Sequence, residues 1–86
     1  MEFQGAVIEE QRQTFGIVIV KQSVLNSPSD RDGMVAFGVR AFGAMPIVLM
    51  AQDSKGVPTY FGRDDIVRFL ANVFIDQIPW KKYTIS

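Results

Sequence analysis

The chain has 86 residues, nine Lys and Arg balanced by nine Asp and Glu, and neither His nor Cys. That length suits one globular domain spanning 1–86, and the balanced charge offers no electrostatic footprint for nucleic acid or an anionic membrane. The missing residue types exclude disulfide scaffolds, thiol catalysis, Cys/His zinc sites and an imidazole general base, so any catalysis would depend on carboxylates, Lys, Tyr or Ser.

Residues 3–10, FQGAVIEE, read as a moderately polar strand. The polar run EEQRQT turns the chain into FGIVIVK, where Ile17, Val18, Ile19 and Val20 present apolar side chains on both alternating faces. A strand apolar on both faces is covered on both sides, so it belongs in the interior of a sheet, with the first strand as its hairpin partner. In NSPSDRDG, Ser27 is placed to cap a helix that starts at Pro28, and Asp30 favours the N-terminal dipole. Met34, Phe37, Ala41 and Met45 continue that helix at spacings of three and four, and Val35, Val39 and Phe42 widen the stripe. A competing reading takes Asp32-Gly33 as a turn and alternates Val35, Phe37, Val39 and Ala41 along a strand. Boundary chemistry and periodicity agree on the helix, with Gly43 at its C-cap and Pro46 beyond it.

PIVLMAQ is again apolar on both faces and reads as a second central strand, joined to the first by a helix and therefore parallel to it. DSKG is a short turn, and VPTYFG returns antiparallel, with Pro58 marking an edge or a strand start. A second helix opens at Asp64 and Asp65 and carries Ile66, Phe69, Leu70, Val73 and Phe74 as its apolar stripe before Pro79. WKKYTIS closes the chain as a short strand. The expected fold is α/β, with α+β as the alternative: order β-β-α-β-β-α-β, a mixed sheet, and helices on opposite faces. A ferredoxin-like βαββαβ arrangement with an extra N-terminal strand would instead put both helices on one face.

MPIVLMAQDSKGVPTYFGRDDIVRFLANV, residues 45–73, resembles the closing strand-strand-helix unit of thioredoxin-fold proteins, with Pro46 before a buried strand, a tight hairpin, and Gly62 ahead of an amphipathic helix. The resemblance allows a cis bond before Pro46. NSPS stands where that family has its Cys-x-x-Cys, so no redox activity is implied, and too little chain separates Pro28 from Pro46 for the family's additional strand and helix.

Gly33, Gly38 and Gly43 do not form a phosphate loop, because Ala44-Met45 follows where Lys-Ser/Thr is needed. They read as first turn, close-packed middle and C-cap of one helix. A mid-helix glycine costs about 1 kcal/mol relative to Ala, so something is expected to lie against Gly38. Asp30–Gly33 has the order of a calcium-loop fragment but lacks the third ligand position and the closing Glu. Arg63, Asp64 and Asp65 read as a solvated helix start.

Parallel central strands would open their C-terminal ends on one edge, the usual ligand position in α/β folds, and gather Lys21, Gln22, Ser23, Gln52 and Asp53 there. Ser27 and Ser29 would add the first helix's N-terminus, whose free N–H groups favour an anion. Trp80 and Tyr83, beside Lys81 and Lys82 on an edge strand, form a candidate interface. The expected function is a non-catalytic cytoplasmic domain acting by association, as a homodimer or a subunit of an assembly, with no cofactor, metal, nucleic acid or membrane partner. No apolar run approaches the ~20 residues of a membrane span and no leader pattern opens the chain. The alternative is a small anionic-ligand binder or carboxylate-dependent enzyme using Lys21, Ser23, Ser27, Ser29, Gln52 and Asp53.

Overall fold

The two strands with apolar side chains on both faces are neighbours near the middle of a five-stranded sheet. The computed structural model describes residues 2–10 and 12–85. Strands β1 (Glu2–Glu10), β2 (Gln13–Ile19), β3 (Ile47–Gln52), β4 (Pro58–Phe61) and β5 (Lys81–Thr84) run in the spatial order β4-β3-β2-β1-β5. Among the described residues, only β2 and β3 pair in parallel, and the other three pairings are antiparallel. Helix α2 (Pro28–Phe42) connects the parallel pair and α3 (Asp64–Ala71) follows β4, while α1 (Gln22–Leu25) and a 3-10 turn at Ile75–Gln77 are short additions.

Side-chain alternation divides the core into two layers. Val48 and Met50 face α3 together with Ala6, Phe15 and Ile17, and Ile66 and Leu70 pack onto them. Ile47, Leu49 and Ala51 face the other way with Val18, where Leu25 and the α2 residues Met34, Val35 and Phe42 cover them. The two main helices therefore lie on opposite faces of one mixed sheet, an α+β arrangement in the expected element order. The ferredoxin-like alternative, with both helices on one face, is not formed, and residues 34–42 are helix rather than strand.

Several local expectations change. The β1–β2 turn is tighter than the polar run suggested, because Glu9, Glu10, Gln13 and Thr14 continue the ladder and Arg12 takes a left-handed φ of 69°. The N–H of Gly43 bonds to the carbonyl of Val39, and a φ of 97° there ends α2, so Met45 falls outside the helix. Gly33 lies beyond the first turn with nothing near its Cβ position, whereas Gly38 is buried where an added Cβ would meet Ile47 Cγ2 at 2.7 Å. Helix α3 stops at Ala71 instead of continuing through Phe74, because the Asn72 amide donates back to the carbonyl of Arg68 at 3.1 Å and its N–H bonds to Phe69. The peptide bond before Pro46 is trans, so that feature of the thioredoxin-like pattern is missing. Pro58 opens edge strand β4, where no interior ladder bond is lost.

Candidate association site

The open side of the α3 face is shaped by how α3 starts and how early it stops. Its first turn is fixed by Arg63, whose Nη2 and Nε donate to the Asp65 carboxylate at 2.7 and 3.2 Å, while Asp65 Oδ1 accepts the Ile66 N–H at 3.0 Å. The Arg63 guanidinium holds the Asp65 carboxyl below the usual carboxylate range, so this group is not poised as an acid. Ile66 and Leu70 then bury themselves against β2 and β3, and Phe69 meets Phe15 edge-on, ring centroids 6.3 Å apart. After Asn72 the chain doubles back through the 3-10 turn, where Trp80 Nε1 donates to the Ile75 carbonyl at 3.0 Å and Ile78 is buried.

Because α3 has eight residues and sits over β2–β4, the strip between it and β1 stays open. Two adjoining grooves fill that strip. One, of about 190 Å³, is lined by Glu10, Gln13, Phe15, Asp65, Ile66 and Phe69. The other, of about 400 Å³, is lined by Ile8, Phe69, Val73 and Ile78, with Val7, Glu9, Glu10, Gln77 and Pro79 around them. Glu10 and Phe69 belong to both, and no Lys or Arg lines either. Among the described residues Glu9 and Glu10 form no salt bridge. Phe74, which follows the groove residue Val73, is 77% exposed.

The residues singled out in the sequence are distributed over α1, the start of α2 and the β3–β4 turn. Lys21 precedes α1 and Ser23 lies within it, both exposed. Ser27 occupies the N-cap position of α2 without a side-chain cap bond, and its hydroxyl stands 3.5 Å from that of Ser29. Gln52 Nε2 donates to the Gly56 carbonyl at 3.0 Å, and Asp53 Oδ1 accepts the N–H groups of Lys55 and Val57 at 2.8 and 2.9 Å, so both side chains build the β3–β4 turn. On the α2 face, buried Leu25 of α1 packs in the cluster of Val18 and Ala51. On the α3 face, a groove of about 260 Å³ at the same edge is lined by Gln4, Ile19, Met50, Gln52, Ile75, Asp76 and Trp80, an acid and no cation. Arg31 sets its guanidinium 4.5 Å over the Phe61 ring and donates from Nη1 to the Leu25 carbonyl, while its buried Nε has no hydrogen-bond partner among the described residues.

Trp80 and Tyr83 belong to opposite faces rather than to one patch. Trp80 packs with the α3 layer, whereas Tyr83 stacks on Phe3 at 5.3 Å and meets Phe42 edge-on at 4.9 Å. Asp30 and Asp32 lie within α2, and no group of three or more carboxylates among the described residues is arranged to hold a metal ion. Among the described residues no helix is long and apolar enough to cross a membrane. The β1–α3 grooves were missed in the sequence because helical periodicity carried Phe74 inward with Phe69 and Val73; the signal that could have exposed them was Asn72, a helix-stopping residue inside the stripe.

Comparison of the chain with protein-family models, with curated proteins and with solved structures finds no match.

Proposed function

We propose that this chain is a non-catalytic association domain of the cytoplasm and that the strip between β1 and α3 is its working surface. The observation that carries the reading is Phe74, a large aromatic side chain left 77% exposed one residue after Val73, which lines a groove together with Ile8, Phe69 and Ile78. Large exposed aromatic side chains are uncommon on a free surface and are enriched at protein interfaces.

The sheet edges favour a face over strand pairing as the means of association. Both edge strands have four residues; β4 starts with Pro58, and β5 carries exposed Lys81 and Lys82, with Lys82 paired to Glu2 at 3.3 Å. Short edges with proline or lysine resist pairing with another strand, which argues against a β-paired homodimer and for association through a face. An 86-residue chain without cysteine relies on its core alone, which suits a reducing compartment. The strand-end edge is a weaker candidate, since the groove there has no cation to meet an anion.

A photo-crosslinking residue at position 74, in chain expressed in its native cell, tests the reading. The expected result is a discrete heavier adduct that is absent when the same residue replaces exposed Ala36 on α2. No adduct, or the same products from both positions, would overturn it.

A further inference from the structure

We draw no further inference here: the strongest candidate, the cluster of half-buried rings of Phe3, Phe37, Phe42 and Tyr83 where α2 flanks β1 and β5, carries nothing because nothing in the structure shows what covers it.

Discussion

The ring of Phe42 lies across Gly16, so close that a Cβ on that glycine would sit 2.5 Å from Phe42 Cδ2. The ring cannot swing aside freely, because Phe3 and Tyr83 both meet it edge-on, with centroids at 5.6 and 4.9 Å. Gly16→Ala therefore forces a half-buried aromatic cluster to move and should cost about 1–3 kcal/mol, the usual range for overpacking. Urea unfolding should show a lower midpoint with an unchanged slope. In a Phe42→Leu background the same substitution should cost less, and strictly additive losses would show that the ring is not what the glycine accommodates.

Two glycines of α2 should respond to alanine with opposite signs. Gly33 has nothing within 4 Å of its Cβ position, so Gly33→Ala removes backbone freedom from the unfolded chain and should stabilise by about 0.5–1 kcal/mol. Gly38→Ala gains the same propensity but drives a methyl to 2.7 Å from Ile47 Cγ2, one of three Ile47 atoms within 3.3 Å, and should destabilise overall. Thermal midpoints of both variants, with Gly38→Ala repeated on Ile47→Ala, check the argument. Stabilisation by Gly38→Ala in the natural background would refute the close approach.

What the sequence discloses and what it hides follow from the range over which each residue acts. Ile17 to Val20 and Ile47 to Ala51 announce themselves because burial on both faces leaves no polar alternation, and Pro28 and Gly43 bound α2 through local backbone chemistry. Gly16 could not be interpreted in the same way, since its reason is a ring delivered by the far end of α2. Helix α1 has no side-chain cap and no periodicity to betray it, and Leu25 is buried only because the β2–β3 end needs covering. The candidate surface was hidden for a similar reason: Phe74 continues the stripe of Phe69 and Val73 in sequence, and the Asn72 amide ends the helix before it gets there. The polar residues at the strand ends, Gln52 and Asp53, looked available because side-chain bonds within a turn leave no mark on composition.

Tyr60 gives an alkaline signature. Its hydroxyl oxygen is buried with no hydrogen-bond partner among the described residues, and desolvation raises its pKa above the ordinary phenol value. A raised folded-state pKa contributes stability that is full below the unfolded value of about 10 and is lost as pH climbs through the folded one. The natural chain should therefore lose stability above about pH 10 more steeply than Tyr60→Phe. Near neutrality the same substitution removes an unsatisfied buried group and should be neutral or stabilising by up to about 1 kcal/mol. A clear loss of stability at pH 7 would mean that the hydroxyl has a partner.

At the acid end, Asp65 behaves in the opposite sense. Arg63 lowers its pKa, so the pair's contribution is present above the unfolded carboxylate value of about 3.9 and disappears as pH falls through the lower folded value. Arg63→Gln should flatten that acid limb while leaving the alkaline limb unchanged, as read by unfolding midpoints across pH. An acid limb identical to that of the natural chain would show that the Arg63 fork contributes nothing in solution.

Phe74 separates association from folding. At 77% exposure it gives the folded chain little burial, so Phe74→Ser should leave the unfolding midpoint within about 0.5 kcal/mol of the natural value. Under the proposed association, partner affinity should fall much more, because a desolvated aromatic anchor can be worth 2 kcal/mol or more at an interface, on the order of thirtyfold in affinity. Phe69→Ala should do the reverse of this separation, weakening both, since its ring meets Phe15 at 6.3 Å and also lines both grooves. Calorimetric titration of the protein crosslinked from position 74, once isolated, against the Phe74→Ser chain measures the difference. Undiminished affinity in that variant would remove Phe74 from the contact and leave the groove residues alone to account for binding.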